Sequence, residues 1–339
     1  MGEEVREVEQ LILLVGSNPL PNYLTACALR PSRLALVHTE QTKTVAELLQ
    51  KELKRKLGDS VEFVTPCVED ASHVADIHDA ISKLMTPNTS LNYTGGTKVM
   101  AAHARMAFAQ NGGKCENASY LDEGGSSVGP MLRFDDGCVK RLDYNLVPLD
   151  LETILALHDQ RLKPVQTAQI APQERAAQED AAVQIFRMIS RWSDLLNNNR
   201  WLEILTDKWI REMGQPTQIG FDVFKGKTKA HFEIDVATIR GHRAYFVSCT
   251  KSKKKSDCKE KMFEIAIRSR QLGGDLARSA LVCLADSKTV GELQEEFADI
   301  WTASNTPEVF GLCDIKAWLD KAPGQSRLKE WLEGKPCRS

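Results

Sequence analysis

Asn92-Tyr93-Thr94-Gly95-Gly96-Thr97-Lys98-Val99-Met100 is the stretch on which the reading of this chain turns. A short apolar run precedes it and the Ala- and Met-rich run Val99–Ala109 follows, so it reads as strand, tight glycine turn and helix start. Gly95 and Gly96 can adopt positive φ and let another group approach the backbone. Amides freed at a helix N-terminus face such a turn and favour an anion. Thr94, Thr97 and Lys98 add two hydroxyls and a cation at the same point. The stretch therefore reads as a phosphate-binding turn, though not a P-loop, because GxxxxGK[ST] does not fit. The plain alternative is a strand-to-helix turn with a threonine cap.

Upstream, apolar runs of strand length at Leu11–Val15, Leu34–His38, Val61–Val64 and Thr89–Tyr93 alternate with helical patterns at Pro21–Leu29, Thr44–Leu57 and Ala71–Met85, the last with Asp70 as its candidate cap. This alternation predicts right-handed crossovers and a doubly wound parallel sheet, with ligands at the carboxyl ends of the strands. Two loops lie there: Gly16-Ser17-Asn18-Pro19 and Thr94–Lys98. A nicotinamide site needs GxGxxG after the first strand, and the first loop has a single glycine. From Asn117 the pattern changes to short strands, Ala118–Leu121, Val128–Phe134 and Val139–Leu142. Turns at Gly124–Ser127 and Asp135–Gly137 separate them.

Composition narrows the class. A chain of 339 residues suggests two domains. Its net charge of −2 carries no global bias toward nucleic acid, so any basic surface is local. The acidic start is no signal peptide, and no apolar run approaches the ~20 residues of a membrane span. Nine scattered cysteines without a CxxC pair fit a reducing, cytoplasmic setting.

The turn at 92–100 and the loop Gly16–Pro19, in this fold context, resemble the CRISPR-associated Rossmann-fold (CARF) proteins over roughly residues 8–147. The resemblance implies a homodimer that binds a cyclic oligoadenylate, each protomer supplying half of the site through Gly16, Ser17, Asn18, Pro19, Thr94, Gly95, Gly96, Thr97 and Lys98. A two-fold ring of phosphates suits an isologous dimer, and Lys98 is the point cation.

Leu149–Leu162 is helical in pattern, Lys163–Gln173 with its two prolines reads as linker, and Glu174–Asn197 is a long helical run. The expected division is 1–147 for sensing, 148–179 as linker and 180–339 as a second domain.

In that second half, Trp201–Met213 is an amphipathic helix with Glu203 beside its apolar stripe. His231–Ile239 is a strand whose period of two puts Glu233 and Asp235 on one face. Arg243–Lys251 is the next, with Cys249 and Lys251 sharing a face. Two carboxylates on one face of a buried strand are costly unless a cation neutralises them. Helix acid, strand acids and a strand ending in Lys resemble the PD-(D/E)xK nuclease core over about 180–300. The departure is Cys249 at the position of the motif's second acid.

The resemblance implies metal-assisted phosphodiester hydrolysis. Mg²⁺ or Mn²⁺ would be held by Glu203 and Asp235, with the Cys249 carbonyl, the Cys249 thiolate or Ser248 as the further ligand. Lys251 would stabilise charge on the phosphate or orient the water, and Glu233 is a catalytic candidate that supports the first ion or holds a second. Lys251, Lys253, Lys254, Lys255, Lys259 and Lys261, with Lys225, Lys227 and Lys229, form either a solvated face or a track for a nucleic-acid backbone. Thr217–Lys225, Met262–Leu272 and Ala280–Leu284 complete the core, and Lys288–Leu332 reads as a helical tail whose Trp301, Trp318 and Trp331 pack. Cys249, Cys258 and Cys283 lack zinc-ligand spacing.

As a pair the halves resemble the CARF nucleases of type III CRISPR systems. That implies a Rossmann-like doubly wound sheet followed by an α/β restriction-endonuclease-like domain. It also implies activation by cyclic tetra-adenylate and cleavage of single-stranded DNA or RNA, or nicking of duplex DNA. Two other readings stay open: a sensor whose degraded nuclease domain only binds nucleic acid or a partner, and a CARF domain that cleaves its own ring.

Overall fold

The computed structural model describes residues 8–122, 129–145, 147–164, 172–187, 200–215, 217–225, 230–301, 306–320 and 327–334. The expected turn at Gly124–Ser127, and Lys227 and Lys229, lie outside them. Two compact units divide the chain between Asp159 and Gln160.

The first unit runs β1 (Gln10–Leu14), α1 (Leu20–Leu29), β2 (Arg33–Thr39), α2 (Lys43–Leu57), β3 (Glu62–Val64), β4 (Cys67–Val68), α3 (Val74–Leu84), β5 (Thr89–Asn92), α4 (Lys98–Gln110), β6 (Ala118–Asp122), β7 (Met131–Phe134), β8 (Val139–Arg141) and α5 (Leu151–Leu157). Its sheet has the order β3-β2-β1-β5-β6-β7-β8, with β4 also on β2. The pairs from β3 to β6 are parallel and the last two antiparallel. β1 is buried along its whole length, which is why it reads as an unbroken apolar run and not an alternating one. Chain order reverses between β1 and β5, so the loops after these two strands flank the crevice of a doubly wound sheet.

Three expectations are corrected here. Asp70 does not cap α3. It accepts from the Ser72 amide and hydroxyl at 2.8 and 2.6 Å, closing a turn before the helix, whose N-cap is His73. The helical pattern Leu149–Leu162 ends at Leu157; Asp159 has φ 56° and β9 (Gln160–Pro164) follows. Residues 148–179 are therefore not a plain linker. α5 belongs to the first unit, where Arg55 donates to Thr153 at 3.0 Å, and β9 is an edge strand of the second.

The second unit continues with α6 (Pro172–Arg187), α7 (Trp201–Glu212), β10 (Thr217–Lys225), β11 (Ala230–Arg240), β12 (Arg243–Thr250), α8 (Lys255–Gly273), β13 (Arg278–Cys283), α9 (Ser287–Ile300), β14 (Glu308–Phe310), α10 (Leu312–Asp320) and α11 (Arg327–Leu332). The sheet order is β14-β13-β12-β11-β10-β9, parallel from β12 to β14 and antiparallel elsewhere. One face packs Trp201, Leu205 and Trp209 of α7 on Val236, Tyr245 and Val247, with Trp318 and Trp331. The other packs Cys258 and Met262 of α8 on Leu281 and Cys283. Trp318 and Trp331 are core residues, as expected, while the helical reading of the tail misses β14, three residues too short to show a period.

Candidate functional site

In the first unit the two expected loops touch. A Cβ on Gly95 would lie 1.9 Å from the Leu14 carbonyl oxygen, so no side chain fits there. Gly16 faces the Gly96 amide, at 3.0 Å from its own missing Cβ, and Gly96 has φ +74°. The Leu14 oxygen also accepts from Asn22 Nδ2 at 2.8 Å, tying α1 to the same point. α1 and α4 both start at this crevice, presenting two helix N-termini.

The hydroxyls are used differently from the expectation. Thr94 Oγ1 donates to Asn92 Oδ1 (2.7 Å) and accepts from the Leu121 amide (2.6 Å). Thr97 is the N-cap of α4, accepting from the Met100 amide at 3.1 Å. Asn18 Oδ1 accepts from the Leu20 amide at 3.1 Å and Pro19 is buried. These groups build the two loops, whereas Ser17 and Lys98 are exposed. A separate cavity, about 450 Å³ beside Cys27, Arg30 and Lys56, lies at the far end of the strands, where basic residues complement the α2 C-terminus.

In the second unit, α7 carries Glu203 to a position only 8% exposed. Its Oε2 is buried with no hydrogen-bond partner among the described residues. Burial, reinforced by the Asp235 charge, pushes its carboxyl from 4.5 up to about 8. The β11–β12 register ends at Val236↔Val247. Just past it, Asp235 Oδ2 accepts from the Cys249 amide at 2.6 Å and the Ser248 hydroxyl at 3.0 Å. A carboxylate thus stands where a strand ladder would continue. Burial raises Asp235 to about 6 against the pull of those two donors.

Cys249 meets Asp235 through its amide, not its sulfur. The thiol donates to Thr206 Oγ1 at 3.7 Å, and burial beside Asp235 and Glu203 holds it protonated. The thiolate ligand considered from sequence is therefore disfavoured. Glu233 is exposed and pairs with Arg200 at 3.4 Å, on the same cavity as Asp235. Lys251 is half-buried and follows directly on β12, one residue beyond its end. Among the described residues no group of three or more His, Cys, Asp or Glu side chains is placed to hold a metal ion. What the site offers a divalent cation is the Glu203 oxygen, orphaned among the described residues, on a carboxyl that also feels the Asp235 charge. A buried carboxylate without a partner is stabilised by a cation, so these two residues fit one.

The basic run splits on folding. Lys255 pairs with Glu292 (2.9 Å) and Glu296 (2.6 Å), and Lys259 with Glu296 (2.8 Å), joining α8 to α9. Lys261 instead lines a cavity of about 60 Å³ with Glu233, Asp235, Ser248, Glu264, Ile265 and Arg268. Arg268 was not singled out from sequence; its only signal is the helical spacing from Lys261. Cys258 and Cys283 meet in the core, and Cys249 packs on the other face of the sheet.

Residues 191–311 match the family profile described as the Card1-like endonuclease domain. No curated protein matches the chain by sequence. Among solved structures, Can2 from Sulfobacillus thermosulfidooxidans in complex with cyclic tetra-adenylate is 15% identical, with a TM-score of 0.68 over 97% of this chain and 98% of its own. Protein VC1899 from Vibrio cholerae is 12% identical, with a TM-score of 0.69 over 97% and 99%. A type III CRISPR defence DNA nuclease activated by cyclic oligoadenylate is 16% identical, with a TM-score of 0.57 over 82% of this chain and 45% of its own. The fold is thus the expected pairing of a CARF-type Rossmann sheet with a nuclease fold, and the chain is similar to CARF-domain nucleases of type III CRISPR systems. No helix among the described residues is long and apolar enough to cross a membrane.

Proposed function

We propose that this protein is a divalent-metal-dependent endonuclease switched on by a cyclic oligoadenylate, the tetra-adenylate first, and that it works as a homodimer in type III CRISPR defence. The observation that carries the cutting half is the buried Glu203 oxygen, unpartnered among the described residues, on a carboxyl that feels the Asp235 charge. The match over 191–311 supports the reaction class. The crevice between the Gly16 and Gly95–Gly96 loops, with two helix N-termini and Lys98 at its mouth, supports an anionic ligand of the kind seen on Can2.

Glu203 and Asp235 would hold Mg²⁺ or Mn²⁺; such an ion, when bound, polarises a phosphate and acidifies a water. The chain's own residues do the rest. The Cys249 amide and Ser248 hydroxyl fix Asp235 in one orientation. The apolar wall of α7 excludes water around Glu203, and Lys251 stands at the strand end where charge on a phosphate would develop. Glu233, turned outward to Arg200, is a charge of the cavity rim.

Cleavage of single-stranded DNA and RNA and nicking of supercoiled plasmid, with Mn²⁺ and with or without cyclic tetra-adenylate, test the proposal. Activity should need the ring and should disappear in Asp235→Ala. Cutting that ignores the ring would reject the coupling, and cutting that survives Asp235→Ala would reject the site. A second reading has its own observation, the neutral Cys249 thiol where an acid is expected. In that case the second unit binds nucleic acid or a partner without cutting, and wild-type protein stays inactive with every metal.

A further inference from the structure

Arg268 sits on α8 at the wall of the Asp235 cavity. Its guanidinium stacks over the Phe232 ring, 4.5 Å from the centroid, and Nη1 donates to the neutral Gln271 at 3.2 Å. Among the described residues it has no carboxylate partner. A cation held over a buried aromatic ring is already positioned, so less freedom is lost when it grips an oxyanion. Lys261, seven residues earlier on the same helix face, lines the same cavity. Its carboxylate partner is Glu264 at 3.4 Å, and both side chains are about half exposed. Such pairs contribute little, so a phosphate can replace Glu264. Lys261 is also near enough for its charge to oppose the burial of Asp235.

We infer that Arg268 and Lys261 form a phosphate subsite that holds the substrate backbone beside Asp235. The lysines earlier in the run, Lys255 and Lys259, are instead structural. This rests on the nuclease reading above and names the groups by which that site would grip its nucleic acid. The helix axis sets the direction. Seven residues span about 10 Å along α8, so the two cations contact separate phosphates of one strand. Lys and Arg contacts of this kind fix register and carry no base preference.

Binding of a nuclease-resistant phosphorothioate oligodeoxynucleotide, measured by fluorescence anisotropy in EDTA with cyclic tetra-adenylate present and across a salt series, reads the subsite without metal or turnover. Arg268→Gln and Lys261→Gln should each weaken binding roughly 10-fold at low salt and make the log–log salt slope shallower by about 0.7. Arg268→Lys should recover the slope and only part of the affinity. Lys255→Gln should leave the slope unchanged. If Arg268→Gln and Lys261→Gln both bind like wild type, or Lys255→Gln loses as much as they do, the inference is overturned while the nuclease reading stands. Wild-type protein that binds neither this oligodeoxynucleotide nor its phosphorothioate RNA counterpart overturns both. Lys261→Gln, on a half-exposed side chain, keeps the test alive if Arg268→Gln fails to fold.

Discussion

Replacing Glu203 by Gln should make the metal-free protein more stable near pH 8. Burial carries the Glu203 carboxyl from 4.5 to about 8. An acid raised in this way binds more protons folded than unfolded. Its contribution is therefore intact below about 4.5 and is eroded as pH rises toward 8. At 1.36 kcal/mol per pH unit the whole interval corresponds to about 5 kcal/mol. Relaxation and water entry reduce this to about 2–4 kcal/mol. Gln has the same shape and no charge to desolvate. For a unit of this size, each kcal/mol moves Tm by roughly 2–4 °C, so the variant should melt roughly 5–15 °C above wild type at pH 8, with the gap closing toward pH 4.5. The readout is the difference between the two proteins. Glu296, held down near 2 by Lys255 and Lys259, pulls both curves the opposite way in acid. Mn²⁺ should then raise the wild-type Tm and leave the variant unmoved. Differential scanning calorimetry at several pH values decides it. Equal melting at pH 8, or a metal response that survives in Glu203→Gln, would refute the idea that this carboxylate is kept for a cation.

Gly95→Ala should unfold the crevice of the first unit. The new methyl collides with the Leu14 oxygen, at a cost of about 1–3 kcal/mol for overpacking plus about 1 kcal/mol for the Asn22–Leu14 hydrogen bond. Gly58→Ala has open space around it and only the strain of a backbone at φ +95°, ψ 171° to bear, so it should cost less, about 1–3 kcal/mol. Thermal melts of the two variants that coincide would show that the close approach is not there. Cys249→Ala should keep cleavage within a few-fold of wild type, because the amide and not the sulfur holds Asp235; a steady-state rate down by about 100-fold or more, the scale of a disturbed metal site, would make the thiol a ligand after all.

Much of this was legible in the chain. The strand and helix alternation of the first unit, the Gly-Gly turn with its helix starting at Lys98, and the sharing of one strand face by Glu233 and Asp235 all follow from periodicity and backbone freedom. The misreadings have physical causes. Leu149–Leu162 carries an unbroken helical pattern, but Asp159 at φ 56° ends it and edge pairing with β10 recruits Gln160–Pro164. Thr94 and Thr97 have the right chemistry for phosphate, but a hydroxyl beside orphan amides is first taken by them.

By itself, then, the sequence determined where strands end, where the chain can bend and which residue types could do phosphate chemistry, because these depend on neighbours along the chain. Only the tertiary structure decided which of those residues remain available. Glu292 and Glu296 of α9 occupy Lys255 and Lys259 but not Lys261. The packing of α7 strips water from Glu203, and the parting of β11 from β12 leaves an amide for Asp235. Burial and pairing are set by segments distant in sequence, so no local pattern records them.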